Sequence, residues 1–193
     1  ALETDRFVWD VRPRFTYMEQ DYEAYMKAFG LGTSFTFLLH SHLLLNASLK
    51  WDRKKLYTNR NRDADNMTFQ FSPILPFGKN RFSLRFTAED EQANESLDSY
   101  GNFAFRFRYD RELPKGFGFY GSYQFKHVRY DGYNDLFLDE RTDHVHEWKV
   151  GLTKRLGKHL SAELSHTHTQ SWSTIDLYDY NRDISAFSLS LHF

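Results

Sequence analysis

The stretch that most restricts what this chain can become is its last one, Ala186 to Phe193. Large apolar residues stand at Phe187, Leu189, Leu191 and Phe193, with small or polar residues between them. Alternation with a period of two is the pattern of a β-strand with one apolar and one polar face. The same alternation recurs from end to end of the 193 residues. So many half-apolar strands must bury their apolar faces either in a packed interior or in lipid.

Composition bears on that choice. Mean hydropathy is −0.68, and no apolar run approaches the ~18 residues of a membrane helix. The nearest, Phe35 to Leu45, is interrupted by His40, Ser41 and His42. Yet 18% of the residues are aromatic. A membrane barrel reconciles these facts, because only every second residue of each strand meets lipid. The absence of cysteine suits an envelope compartment. No secretory leader is recognisable, so the reading expects Ala1 to follow a cleavage site. A net charge of −1 gives no reason to expect a nucleic-acid partner.

Ten strands can be read in order. The first, from about Asp5 to Tyr17, shows Phe7, Trp9, Val11, Phe15 and Tyr17 on one face, and Pro13 predicts a bulge there. After an acidic link, Met18 to Ala24, the second puts Phe29 to Leu39 outward over a strip of small residues, Ala28, Gly30, Gly32, Ser34 and Thr36. That strip leaves room for a bulky neighbour such as Arg to cross. The third runs from Leu43 to Trp51, and the fourth from Met67 to Phe77 after a polar loop. Gly78-Lys79-Asn80 is hairpin chemistry leading to the fifth, Phe82 to Ala88. The sixth carries Phe103 to Tyr109, and the seventh Phe117 to Phe125. The eighth holds Trp148, Val150 and Leu152, the ninth Leu160, Ala162 and Leu164, and the tenth is the terminal stretch.

Four short turns alternate with five longer polar loops, the asymmetry of an outer-membrane barrel. The expected fold is all-β: a closed antiparallel transmembrane barrel of about ten strands, with residues 1–193 as one domain. Closure removes the edges along which such aromatic strands would aggregate. A soluble sandwich would instead leave the basic residues on its surface and crowd some thirty large apolar side chains into a small core.

This pattern, ending on an aromatic, resembles the bacterial outer-membrane β-barrel proteins, small porin-like barrels among them. The resemblance implies that Phe187, Leu189, Leu191 and Phe193 form the signal read by the barrel-assembly machinery. It also implies an integral outer-membrane protein in contact with lipid and lipopolysaccharide. Locally, Ser173 to Phe193, with Asp176, Leu177, Tyr178, Asp179 and Tyr180 leading into the last strand, is similar to the closing hairpin of export and assembly barrels such as surface lipoprotein assembly modulators. That similarity implies an alternative role as an accessory subunit of an export complex.

The face opposite the aromatics carries the chemistry. Arg12, Arg14, Lys50, Arg81, Arg85, Arg106, Arg108, Lys126 and Lys149 stand against Asp10, Glu147 and Glu163, an excess of six positive charges. Charges confined in a narrow barrel must be paired or hydrated, so the excess points to a channel for small anionic solutes. The competing reading is a plugged scaffold, in which these side chains with Tyr120 and Gln124 fill the interior.

His144, His146, His166 and His168 share parity with Trp148 and Leu164, so they belong to the outer face, as does His127. A turn centred on Leu156 would set His146 opposite His166 and His144 opposite His168, a weak candidate for a transition metal. The alternatives are a headgroup-level band and a contact with a partner protein at these two strands. Outer-membrane hydrolases place a His near Ser, Asp or Glu at the rim. Here Ser165 and His166 are adjacent on a strand and point to opposite faces, which disfavours them as a dyad. The chain is therefore read as a non-enzyme needing no cofactor, with a rim-site hydrolase as the second alternative.

Overall fold

A computed structural model describes residues 2–4, 6–21, 23–40, 42–57, 60–134, 137 and 139–191. Its strands are β1 (Leu2–Thr4), β2 (Phe7–Gln20), β3 (Glu23–His40), β4 (Leu43–Leu56), β5 (Ala64–Phe77), β6 (Asn80–Ala93), β7 (Tyr100–Glu112), β8 (Phe117–Asn134), β9 (Asp139–Arg155), β10 (Leu160–Ser173) and β11 (Tyr180–Leu191). They form one sheet in chain order, and every neighbouring pair is antiparallel. The ten long strands are those expected, and the three-residue β1 is an addition. Among the described residues no pairing joins β11 to β1 or β2.

The strands run well past their apolar stretches. β4 continues to Leu56, β6 to Ala93 and β8 to Asn134, while β9 begins at Asp139. Much of what reads as long polar loop is therefore ladder, and short 3-10 turns at Arg60–Arg62, Ser96–Asp98 and Asp176–Tyr178 complete three of the connections. The cause is simple. Apolar alternation marks only the part of a strand that has one apolar face, and beyond it both faces are polar.

Two local expectations are corrected. Pro13 sits in unbroken register opposite Leu31, and the irregularity falls at Met18/Glu19 instead. Among the described residues β2 carries only β1 on its far side, at Phe7 to Trp9, so a residue without an N–H is tolerated there. The turn between β9 and β10 is not centred on Leu156. Ser161 faces Arg155 and Leu164 faces Leu152, which moves the centre two residues on. At the β5–β6 turn, Gly78 adopts φ 58°, a left-handed conformation that glycine takes without a Cβ clash.

The two faces separate as the alternation requires. Phe103 and Phe107 on β7 are exposed, while Asn102 and Ala104 on either side of Phe103 are buried. Neighbouring outward rings touch across strands, as Phe86 does Phe105 at 5.4 Å and Phe82 does Tyr109 at 5.0 Å.

Candidate functional site

The inner face begins with the small strip on β3. Arg14 of β2 reaches across it to Asp52 of β4, Nη1 to Oδ2 3.1 Å. Gly30 leaves room for the Asp52 carboxylate, with which a Cβ at that position would collide. The crossing expected from Ala28, Gly30, Gly32, Ser34 and Thr36 is thus made. Arg12 stays on its own strand and pairs with Asp10 at 2.8 Å, and Asp10 accepts a hydrogen bond from Ser34 at 2.6 Å.

The charge count is corrected by the length of the strands. Asp52, Glu89, Glu91, Asp110 and Asp143 lie in strands rather than loops, and each meets inner-face groups. Lys54 pairs with Glu91 at 2.5 Å. Asp110 holds Arg108 at 2.7 Å and Arg81 at 3.4 Å. Glu89 accepts from Asn66 at 2.7 Å, Asn102 at 2.6 Å and Tyr100 at 3.1 Å. The excess of six shrinks, because these five acids join the face while Lys54 and Arg141 are the bases that come with them. Polar alternation without aromatics gave no signal that these acids belong to strands.

What remains uncompensated is concentrated at mid-wall. Arg85 faces Arg106, Arg106 faces Gln124, Gln124 faces Glu147, Glu147 faces Thr169 and Thr169 faces Arg182, one row across six strands. Arg106 bonds Glu147 at 3.2 Å. Its Nε is buried without a partner, and so is Thr169 Oγ1. Lys126 and Lys149 stand two residues from Gln124 and Glu147 along their strands. Lys126 Nζ lies over the Tyr100 ring and Lys149 Nζ over the Tyr120 ring, each within 6 Å of the centroid. Among the described residues Lys50, Arg85, Lys126 and Lys149 make no ion pair within 4 Å. Two guanidiniums opposite one another, only one of them paired with a carboxylate, repel, and an anion between them would relieve that repulsion.

Below this row, at the turn end, a cavity of about 590 Å³ is lined by Arg81, Arg108, Asp110, Tyr120, Lys154 and Glu163, among others. Tyr120 donates to Glu163 at 2.6 Å, and Arg108 stacks on its ring at 4.1 Å. Gly151 allows this arrangement, for a Cβ there would meet the Tyr120 ring at 2.5 Å.

Above the row, at the loop end, a second cavity of about 500 Å³ is lined by Tyr25, Tyr100, Tyr130, Tyr178, Leu97 and Arg141 with neighbours. Arg141 is clasped between Tyr130 at 4.3 Å and Tyr178 at 3.5 Å, and it bonds Asp143 at 2.6 Å. Burial alone would lower the Arg141 pKa, but the Asp143 hydrogen bonds hold it above its ordinary value. Burial raises the Tyr130 phenol. Both groups lie beyond the apolar band. The sequence reading missed this cavity because Tyr25, Tyr100, Tyr130 and Tyr178 stand far apart in the chain and belong to no alternating aromatic run.

The histidines are outward, as expected, but their pairing differs. His166 faces Val150, His168 faces Trp148, His146 faces Gln170 and His144 faces Trp172, because the turn centre lies further on. His144 meets His127 instead, with ring nitrogens 3.1 Å apart. His146 Nδ1 lies 2.8 Å from the Tyr123 hydroxyl. His166 and His168 approach Asp183 of β11 at 3.4 and 2.9 Å. The four candidates do not converge, and no cluster suited to a metal occurs among the described residues. Ser165 is buried while His166 is exposed, which keeps them apart as a dyad.

The outer apolar band is uneven. On β5 it runs from Met67 to Phe77, and on β10 only from Leu160 to Leu164. At ~3.3 Å per residue and ~40° tilt these spans stand about 25 and 10 Å tall, against ~25 Å for the apolar band of an outer-membrane barrel. On β11, Phe187, Leu189 and Leu191 are outward and exposed, and Phe193 lies outside the described residues.

No family model matches this chain, and no curated protein matches it either. Among solved structures, a loop L8 deletion mutant of OmpT, an outer membrane protein of Vibrio cholerae, superposes with a TM-score of 0.67 at 12% identity, over 98% of this chain and 60% of that one. In-vitro folded OmpT of the same organism gives 0.62 at 10% identity, over 90% and 59%. The chain therefore spans about three fifths of the length of these structures. At such identity the likeness concerns architecture alone, and the architecture is that of the bacterial outer-membrane β-barrel proteins.

Proposed function

We propose that this chain forms, in the bacterial outer membrane, a narrow channel whose basic wall favours small anionic solutes. The observation that carries the reading is the mid-wall row, where Arg85 faces Arg106 and Arg106 Nε and Thr169 Oγ1 are buried without acceptors. Confined between low-dielectric walls, the positive field of Arg85, Lys126 and Lys149 concentrates anions and repels cations, more strongly at low salt. Outer-membrane residence rests on the fold and on the outward aromatic face. Conduction requires the wall to be completed between β2 and β11. On this reading the protein has no catalytic role.

The test is planar-bilayer conductance of the purified protein under a salt gradient. The parent is expected to prefer anions, with a preference that weakens as salt rises. Changing Arg85→Glu and Arg106→Glu together shifts the row by four charges and should move the reversal potential toward cations. Cation preference in the parent, or silence at every voltage, rejects the channel.

A second reading, a plugged scaffold or export-complex subunit, is favoured by the lattice of inner ion pairs and by the short apolar band on β9 to β11. A partner covering His166, His168 and Asp183 would spare them a lipid contact that costs several kcal/mol, on the order of 2–4. A silent bilayer together with co-purification of a protein cross-linked through His166→Cys would favour it.

A further inference from the structure

The geometry points to a saccharide-binding site in the loop-end cavity, one that takes an uncharged sugar ring. Three features select that ligand. The first is aromatic supply: Tyr25, Tyr100, Tyr130 and Tyr178, from four different elements, line a space of about 500 Å³, large enough for one or two sugar units. The axial C–H groups of a pyranose carry partial positive charge and are drawn to the negative face of a ring. With Tyr130 and Tyr178 each giving a face to Arg141 and the Tyr100 hydroxyl bonded to Glu89 and Glu91, Tyr25 supplies the stacking face.

The second feature is charge. The cations on the lining are each matched: Lys54 by Glu91 at 2.5 Å, Arg62 by Asp98 at 3.3 Å and Arg141 by Asp143 at 2.6 Å. No surplus positive charge is left to hold an anion, in contrast to the row below. A cation is disfavoured for another reason. A cage of tyrosines can hold an ammonium group, but the lining carboxylates Glu91 and Asp98 are already matched by Lys54 and Arg62, so none is left to balance a further cation. A neutral ligand rich in hydroxyls suits what remains, because paired carboxylates and guanidiniums still offer acceptors and donors at their free positions.

The third feature is rigidity. The 3-10 turn carrying Leu97 is packed against β8 at Gly132, where a Cβ would meet the Leu97 backbone at 2.5 Å. Ser99 is buried, donates to the Ala93 carbonyl and accepts from its N–H, and its own carbonyl accepts from the Asp131 N–H at 3.0 Å. One wall is thus set before a ligand arrives, which reduces the ordering cost of binding.

The proposal does not depend on conduction. The whole chain, folded in detergent, is titrated with methyl α-D-glucopyranoside and N-acetylglucosamine by saturation-transfer difference NMR, with tetramethylammonium and inorganic sulfate as the charged probes. At least one neutral sugar should bind in the low millimolar range, ~1–10 mM, with the strongest transfer to its ring C–H protons. Tyr25→Ala should weaken binding about tenfold, and Leu97→Lys, which adds an unmatched cation, should weaken it while recruiting sulfate. Both positions border the cavity, and retained heat-modifiable gel migration will show that each variant is folded. Absence of sugar binding in the parent, binding unaffected by Tyr25→Ala in the folded variant, or preference for either charged probe overturns the site. A silent bilayer with sugar binding intact would remove the channel and leave this site standing.

Discussion

The two ends of the inner face are built from the same residue types in opposite ways. At the turn end Arg81 and Arg108 share one carboxylate, Asp110, and Tyr120 is committed to Glu163. At the loop end Arg141 has a carboxylate of its own, the buried Asp143, and two tyrosine rings besides. The turn end is therefore short of negative charge and open, whereas the loop end is matched and clasped. A mutation at the loop end should register as lost stability. Removing a charge at the turn end should register as changed ion preference.

The strongest test of that contrast is Arg141→Ala. It leaves the Asp143 carboxylate buried without its cation and separates Tyr178 from β8, so a loss of about 3 kcal/mol is expected. Denaturant unfolding in detergent, followed by tryptophan fluorescence, measures it. Arg141→Lys should recover only part, because an ammonium cannot bond Asp143 bidentately while stacked between two rings. Unchanged stability in the alanine variant would mean that the clasp holds nothing.

Gly151→Ala comes next. The new Cβ must displace the Tyr120 ring, breaking its bond to Glu163 and its stack with Arg108, at a cost of about 2 kcal/mol. A crystal or NMR structure should show the ring moved toward the turn-end cavity. Wild-type stability with the ring in place would contradict the close approach.

Asp110→Asn should cost less than about 1 kcal/mol, since its partners are partly exposed. It should nevertheless strengthen anion preference in the reversal potential, because two guanidiniums lose their neutralising charge at one mouth. A shift toward cations would reverse the assignment of that mouth as basic. The smallest effect is expected from Arg129→Ala, whose bond to Glu140 spans 3.5 Å between exposed groups. Under about 0.5 kcal/mol is expected, and a larger loss would show that the loop-end rim is as tightly coupled as Arg141.

Legibility in the sequence followed the apolar band. Where a strand has an aromatic outer face, as at Phe103, Phe105 and Phe107, alternation marks its presence, its face and its order. Above that level Glu89, Glu91 and Asp143 are as much a part of strands as Phe86 is, but with polar residues on both faces nothing periodic reports them. Register was less legible still. His146 and His166 keep the outward orientation that parity assigned, yet a two-residue displacement of one turn gave them different partners. The cavity of tyrosines depends on which rings meet across elements, and no single stretch encodes that.

The mid-wall row has one more consequence. Rows of facing residues run perpendicular to the strands, and barrel strands lean ~40° from the axis. The row from Arg85 through Arg106 and Glu147 to Arg182 crosses five inter-strand gaps of ~4.8 Å, so it climbs about 15 Å along the axis as it goes round. A solute moving straight through would meet these groups one after another, as on a spiral stair, rather than all at once in a ring. In the proposed channel the field would then be drawn out into successive shallow wells, a landscape that biases the sign of what passes without trapping it.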